Sequence, residues 1–266
     1  MGSLTGTTIR QGYKSLLRVD DNSNGIDAVA EVVTDGLGNK SALKLSDDQV
    51  IVAPQNDDTT TALRVRAKSG DTIFAVDTTN SVVKAGANAM NVHTHYAYFG
   101  CNYIDFSNAA ANTHYPIPFS AASGGGTTTN DVDFGTGTDP NTTFTTANID
   151  TQYASQIVPC MMYVPDNISI DAVHSIEGAD AATGDTTRFH LMSFVLNSGS
   201  TSCLTDGTII ASSSDESNAG NEQAYLNTWS INSASVTSGK VLLAFLRSDS
   251  VNSDYSLNIT IKYHLV

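Results

Sequence analysis

Short apolar runs separated by polar turns recur along the whole chain. No segment repeats apolar residues at the helical period of 3.6 over the length of a helix. Residues 26–34 are the best helix candidate, but their β-branched side chains favour a strand equally. The clearest strand is 255–266, where Leu257, Ile259 and Ile261 alternate with polar residues. The pattern predicts an all-β protein.

The first segment, residues 1–56, consists of short apolar runs that end in turns rich in Asp, Asn and Gly. Two such turns lie at 20–25 and 35–39. These residues tolerate left-handed backbone conformations, so they indicate hairpin connections. We predict a β-rich N-terminal module.

The second segment, residues 57–95, is predicted to form a short β stalk. The runs ALRVRAKSGD, TIFAVDTTNS and VVKAG follow one another at a spacing of about ten residues. One chain cannot bury the apolar side of such short strands, a difficulty that repeat arrays solve with neighbouring units. Neighbouring copies would supply the missing core here, and we predict an intertwined homotrimer.

The third segment, residues 96–266, is long enough for a jelly-roll-like β-sandwich. Its candidate strands lie at 96–106, 156–164, 168–176, 188–196, 208–211, 224–231, 240–247 and 255–266. Two long low-complexity loops, 120–148 and 212–223, interrupt them. Loops of this length are often functional, so they are candidates for receptor or partner contacts.

Composition narrows the classes of function. The formal net charge is −14, from 27 acidic and 13 basic residues, which disfavours contact with nucleic acid. No run of about 18 apolar residues predicts a membrane-spanning helix, and the first residues lack an apolar run of signal-peptide length. We therefore expect synthesis in a cytoplasm without a secretion signal. Cys101, Cys160 and Cys203 lack zinc-type spacing and are interpreted as small buried hydrophobes, with one bridged pair as the alternative.

Enzyme templates are not met. The third glycine of GxGxxG is replaced by Ser41, and neither a P-loop nor a GxSxG nucleophile elbow is present. A hydrolytic pair of carboxylates stays open, because such pairs meet in space rather than in sequence. The sequence favours a non-enzymatic protein, with no catalytic residue and no cofactor assigned.

One pattern has the form of a calcium-binding loop. Asp20, Asn22, Asn24, Gly25 and Glu31 satisfy D-x-[DN]-x-[DN]-G-x5-E, which places oxygen ligands on alternate residues and a bidentate glutamate at the end. Helices should flank such a loop, whereas the neighbouring residues favour strands. The alternative is an Asp/Asn-rich hairpin turn without metal.

His93 and His95 form a second candidate metal site. On a strand, residues i and i+2 point to the same side, so three copies would bring their histidine pairs together on a trimer axis around one transition metal. The alternative is that both residues line the junction between stalk and sandwich without metal.

Exposed aromatic residues offer a surface for sugars. Tyr96 and Tyr98 face one side of a predicted strand, and Tyr103 faces the other. Trp229 is the only tryptophan. Core packing is the alternative for each of these residues.

These segments together resemble a known family. The opening, GYKSLLRVDD to DDQVIV, resembles the N-terminal attachment modules of tail-fibre and head-appendage proteins of tailed bacteriophages. ALRVRAKSGDTIFAVDTTNSVVKAG is similar to the S-G-x-x-x-F-x-V-D-T β-prism repeats of phage fibre stalks, which implies a β-prism-like stalk here. GKVLLAFLRSDS with YSLNITIKYHLV is similar to the last two strands of trimeric jelly-roll tips.

The resemblance implies a homotrimer whose N-terminal module, residues 1–56, anchors it to the capsid or tail of the virion and whose jelly roll faces outward. The expected location is the virion. The chain is short for a long tail fibre, so head fibre, capsid decoration and short tail fibre all stay open. A stand-alone carbohydrate-binding, lectin-like module is the alternative function, and a glycan hydrolase is a third.

Overall fold

The computed structural model describes residues 16–21, 23–86, 90–91, 93–105, 110–119, 132–145, 156–250 and 253–266, with side chains described for all of these except 90–91 and 102–105. Antiparallel strands form nearly all of the regular structure, so the all-β prediction is confirmed. The chain divides into two units, Met1–His93 and Thr94–Val266.

The first sheet of the first unit is an antiparallel meander. Its strands are β1 (Arg18–Val19), β2 (Glu31–Thr34), β3 (Lys40–Leu45) and β4 (Val50–Val52), paired in that order. Asp35 shapes the turn between β2 and β3, because its carboxylate accepts the backbone N–H groups of Leu37 and Asn39 at 2.9 and 2.8 Å. Gly38 adopts a φ of 88° in this turn, a conformation that disfavours residues with a Cβ atom.

The second sheet of the first unit is also a meander. Its strands are β5 (Leu63–Arg66), β6 (Thr72–Asp77), β7 (Val82–Ala85) and β8 (Met90–Asn91). The Asp77 carboxylate accepts hydrogen bonds from Lys84 Nζ at 2.7 Å and Asn80 Nδ2 at 2.9 Å. The hydrogen bond from Lys84, followed by that from Asn80, lowers the pKa of Asp77 to about 2. This ion pair ties the end of β6 to β7.

The second unit is a sandwich of two antiparallel sheets. The five-stranded sheet has the order β16 (Gln223–Thr228), β12 (Ile168–Asp180), β20 (Asp254–Leu265) and β9 (Thr94–Asp105), with β18 (Ser235–Val236) beside β12. The seven-stranded sheet has the order β10 (His114–Ile117), β19 (Lys240–Ser248), β13 (Thr186–Leu196), β14 (Leu204–Ser212) and β17 (Ser230–Ile231), with β11 (Met162–Tyr163) beside β19 and β15 (Glu216–Ser217) beside β13.

The long strands of the sandwich pair in a nested order. The first, β9, pairs with the last, β20, and β10 pairs with β19. Inside them, β12 pairs with β16 and β13 pairs with β14. Each sheet therefore combines strands from both ends of the unit.

The sandwich contains two clusters of buried apolar residues. The inner core lies between the sheets and contains Phe99, Phe189 and Ile259, all fully buried. The outer cluster lies on the opposite face of the seven-stranded sheet, under residues 132–145, which we call the covering segment. Phe134 of this segment packs on Phe194 and Phe245, and Phe144 stacks on Phe134. Strands β13 and β19 are thus buried on both faces, which explains their nearly continuous apolar sequence.

The division of residues 1–93 into an anchoring module and a stalk stays a prediction. Part of the predicted strand 156–164 differs in the structure: Val158–Cys160 forms a 3₁₀ turn, and only Met162–Tyr163 forms a strand. Pro159, which lacks a backbone N–H, lies within the turn.

Candidate functional site

The solvent-facing side of the five-stranded sheet is the best candidate for a binding surface. Alternation along the strands turns Phe99, Val173 and Ile259 into the inner core and their neighbours outward. We call these outward residues the open face: Tyr96 and Tyr98 of β9, Asn258, Thr260 and Lys262 of β20, His174 and Ile176 of β12, and Leu226 and Thr228 of β16.

Cross-strand pairing arranges the open face in rows. One row joins Leu226 to Ile176 and Ile176 to Asn258. The exposed fractions of Leu226 and Ile176 are 72% and 53%, so two aliphatic side chains lie side by side in water. Such a pair is a candidate contact for an apolar or amphipathic partner.

The next row carries aromatic and hydroxyl groups. Thr228 pairs with His174, which pairs with Thr260, which in turn pairs with Tyr98. Tyr96 follows on the same side of β9, about 7 Å further along the strand. Tyr96 is 49% exposed and Tyr98 is 41% exposed. Two exposed aromatic side chains at this spacing suit stacking on the apolar faces of successive sugar rings.

Among the described residues, acidic side chains lie only at the ends of the open face. The described outward residues of the rows include Lys262 but no carboxylate, although the chain has 27 acidic residues. Asp171 lies at one end and accepts a hydrogen bond from His264 Nδ1 at 2.8 Å. The absence of acidic charge in the rows lowers the cost of covering this face.

The other end of the open face holds a shallow depression of about 310 Å³. Its floor is made of small residues from three neighbouring strands: Gly178, Ala224 and Ser256. Asp180, Glu222 and Asp254 line its wall. Carboxylates in such a place are able to accept hydrogen bonds from ligand hydroxyl groups.

The predicted calcium ligands lie around the turn between β1 and β2. Asp20 pairs with Arg18 at 3.1 Å, and Glu31 is the first residue of β2. Asn22 lies outside the described residues.

The neighbouring Asp21 shapes this turn, since its carboxylate accepts the backbone N–H groups of Ser23 and Asn24 at 2.6 and 3.1 Å. These hydrogen bonds lower the pKa of Asp21. Strands flank the loop, as in the hairpin-turn alternative, and calcium binding stays a prediction.

The two predicted histidine ligands differ in their local structure. His95 lies in β9, is exposed and stacks on Tyr263 with ring centroids 5.6 Å apart. His93 is an exposed turn residue immediately before β9, so the premise that both lie on one strand is not met. Within the described part of one chain, no three His, Cys, Asp or Glu side chains form a metal-binding group. A metal shared between copies stays a prediction.

The other residues predicted to make contacts lie in different parts of the structure. Trp229 is buried: its Nε1 donates to Ser175 Oγ at 2.9 Å and its ring stacks on Phe189, so it packs in the core. The side chain of Tyr103 lies outside the described residues. Of the loop 120–148, residues 120–131 and 146–148 also lie outside them, while 132–145 belongs to the covering segment.

Sequence reasoning missed the aliphatic pair of the open face. Ile176 and Leu226 are 50 positions apart, and only their pairing in the sheet brings them together. The outward parity of Ile176 within the strand 168–176 was the one available signal.

No protein-family model matches this chain, and no curated protein matches it. In the described part of the chain, every helix is too short or too polar to pass through a bilayer.

Proposed function

We propose that this chain is a homotrimeric structural subunit of a bacteriophage virion appendage, without catalytic activity. Its first unit would serve oligomerisation and attachment to capsid or tail proteins. Its second unit would display the open face for contact with the host surface, for stabilising the particle, or for both.

The observation that carries this proposal is that the described part of the first unit has no apolar core. Both clusters of buried apolar residues lie in the second unit. Among the described residues of the first unit, only Val33 and Ala75 are buried and apolar. Its exposed large apolar residues are Leu16, Leu17, Ile26, Val29, Leu37, Val50, Ile51, Val52, Leu63, Val65 and Ile73.

Two strands of the first unit are exposed on both of their faces. All residues of β4 and all residues of β5 are exposed. A four-stranded sheet needs an apolar face packed on another layer for independent stability. Each of these Val, Leu or Ile side chains would contribute about 1.5–3 kcal/mol on burial, and further copies of the same chain are the simplest source of that burial.

The second unit has the opposite character, because it buries its own core. Its nested pairing of first with last and second with second-last long strands is the pairing of a jelly roll. We infer that this unit is a jelly roll, the fold that the sequence resemblance implies for the outward tip of a phage fibre. A core-poor attachment unit followed by a self-sufficient tip suits an appendage.

Multivalency would strengthen adhesion by such a protein. Weak contacts at each open face would act together when three copies are tethered in one assembly. Exposed Tyr96 and Tyr98 beside hydroxyl side chains also support the second candidate, a stand-alone lectin-like module. That module would bind glycan as a monomer, which separates the two functions experimentally.

The test is the absolute solution mass of the purified full chain by light scattering. A mass of three times 28.0 kDa supports the appendage, and labelling of purified virus particles with an antibody against the chain would then test the virion location. A stable monomer over a range of concentrations would overturn the oligomeric proposal and leave the lectin-like module.

A further inference from the structure

Two histidines are buried together under the covering segment. His114 of β10 and His190 of β13 are both 0% exposed, and their ring centroids are 5.0 Å apart in an edge-to-face arrangement. His114 pairs with Arg247 and His190 with Phe245, which places both rings on the face of the sheet that carries the outer cluster. Neither ring contributes to the open face.

The covering segment is fastened to these histidines. Gly135 O accepts the backbone N–H of His114 at 3.0 Å and its ring Nδ1–H at 3.1 Å. Phe134 N–H donates to His114 O at 2.8 Å. Asp139 Oδ1 lies 3.3 Å from His190 Nε2. One segment thus makes polar contacts with both rings.

The remaining polarity of the rings is unsatisfied. Among the described residues, neither His114 Nε2 nor either ring nitrogen of His190 has a hydrogen-bond partner, and Asp139 Oδ1 approaches His190 Nε2 only as a close contact at 3.3 Å. A neutral imidazole tolerates this at moderate cost, but a charged one does not. The pair is therefore suited to the uncharged state.

The charged groups around the pair oppose its protonation. Arg247 lies next to His114 across the strand pair, and Arg188 lies opposite Arg247 on β13. The nearby acids are Asp139, which is 52% exposed, and Asp215, which lies 3.6 Å from Arg188 and is 58% exposed. Because both acids are exposed, water weakens their attraction for a protonated histidine, while the interactions of the buried rings are screened less.

Burial lowers the pKa of both histidines. It lowers the pKa of His190 to about 4, with further contributions from His114 and Arg188, while Asp139 raises it. Burial is also the largest cause for His114, followed by the opposing effect of Gly135 and then by Arg247. Solvent exposure would return both groups toward their ordinary value of about 6.5. Acid therefore favours any state in which water reaches the rings.

We propose that His114 and His190 form an acid-operated latch, which holds the covering segment closed when both rings are neutral and releases it when they are protonated. Release uncovers Phe194 and Phe245 and frees Phe134 and Phe144, so it presents an aromatic surface to an apolar partner. This inference goes beyond the proposed function and does not depend on the oligomeric state.

The covering segment is the part that moves, because the strands beneath it are held by long ladders. β13 pairs with β19 over nine residues and with β14 on its other side. Apart from its bonds to His114, the covering segment is held to the sheet by a few isolated backbone bonds: Gly207 N–H donates to Thr142 O at 2.9 Å, and Phe144 and Leu204 exchange two bonds of 2.9 and 3.3 Å. Local opening of such a segment requires less free energy than separating the sheet.

The experiment is limited digestion of the full chain with a protease that is active from about pH 4 to pH 8, with cleavage mapped by mass spectrometry. Below pH 6.5, cleavage within 132–145 is expected to accelerate by up to about tenfold per pH unit for each histidine that charges on opening. Trp229 packs on Phe189 in the inner core, so its fluorescence reports whether the sandwich stays folded.

Two variants separate the latch from general acid sensitivity. The double variant His114→Gln/His190→Gln cannot charge, so its covering segment should resist digestion at every pH. His174→Gln, a half-buried histidine of the open face, is the control and should behave as the parent does. Rates are compared between variants at the same pH, which removes the pH dependence of the protease.

A third variant keeps the test decisive if the double variant does not fold. Asp139 is half exposed and favours the charged form of His190, so Asp139→Asn should move opening to higher pH. The latch is overturned if the double variant opens at the same pH as the parent, or if Asp139→Asn leaves the opening pH unchanged. It is also overturned if Trp229 fluorescence changes together with cleavage, because the whole sandwich then unfolds.

Discussion

Glu177 of β12 and Thr187 of β13 join the two sheets of the sandwich, the Thr187 hydroxyl lying 2.8 and 3.1 Å from the two carboxylate oxygens of Glu177. Both side chains are buried. Burial raises the pKa of Glu177 to about 7, although the hydrogen bond from Thr187 acts in the opposite direction. The carboxyl group is therefore ionised in a poorly solvated place whenever the pH is above 7.

We expect Glu177→Gln to stabilise the protein at pH 8. The unfolded carboxyl ionises near pH 4.5 and the folded one near 7, so stability falls as the pH rises through this window and stays low above it. The difference corresponds to about 3 kcal/mol, of which the amide should recover about 1–3 kcal/mol. Thermal unfolding at a fixed protein concentration measures the effect. An equal gain at pH 4.5 would contradict the explanation, since the folded carboxyl is neutral there.

The buried hydrogen bond between Trp229 Nε1 and Ser175 Oγ predicts a coupled pair of substitutions. Ser175→Ala leaves the indole N–H without its partner and should cost about 1–3 kcal/mol. Trp229→Phe removes the same donor, so Ser175→Ala should cost less in that background. Urea unfolding of both single variants and the double variant gives the coupling free energy. Strict additivity would show that this hydrogen bond does not contribute.

Gly207 marks a close approach between β14 and the covering segment. A Cβ atom there would lie 2.6 Å from Phe194 Cε1 and 2.8 Å from Thr142 Cα. We expect Gly207→Ala to lift the covering segment and to destabilise the sandwich by about 1–3 kcal/mol. Gly178→Ala is the control, because its nearest neighbour would be Ser256 Cβ at 4.0 Å. Protease digestion at pH 7.5 should cleave 132–145 faster only in the first variant.

The exposed strand β5 predicts a variant that changes the oligomeric state. Val65 is 49% exposed in a single chain, so Val65→Asp costs little in an isolated subunit but places an unpaired charge in a shared core. Light scattering should show a shift from three copies toward one. Thr60→Asp adds the same charge at an exposed polar position of the same unit and should leave the mass unchanged. If both variants keep the parent's mass, β5 lies outside the interface.

The tyrosines of the open face predict a loss of adhesion without loss of stability. Tyr96→Ser and Tyr98→Ser should each weaken binding to host-surface glycan by about tenfold, the scale of one lost aromatic contact. Binding to immobilised glycans measures the change, and the thermal midpoint should stay within a degree or two of the parent's. Ser256→Ala, at the far end of the same sheet, tests whether the depression also takes part.

Parts of the fold were accessible from sequence because their pattern is local. The alternation of Leu257, Ile259 and Ile261 predicted β20 with nearly its observed bounds. The strand β10 was missed, since Pro116 interrupts its pattern. Proline is tolerated there because β10 is an edge strand of the seven-stranded sheet.

The candidate sites were less accessible because they depend on tertiary pairing. His114 and His190 have no ligand spacing in the sequence and meet only because β10 and β13 both flank β19. At the turn that contains Asp20, by contrast, the pattern is local in the sequence. A pattern of acidic and amide residues predicts a metal site there; in the described part of this pattern Asp21 shapes a turn between two strands, and calcium binding stays a prediction.

The nested order of the strands also determines how long each strand waits for its pairing partner during synthesis. β9 emerges from the ribosome first among the strands of the second unit, but its partner β20 emerges last. Until then β9 is an unpaired edge rich in tyrosine, and contacts between residues so distant in sequence form slowly. The sandwich therefore matures only after translation of the whole second unit, and nascent chains are most exposed to aggregation during that wait.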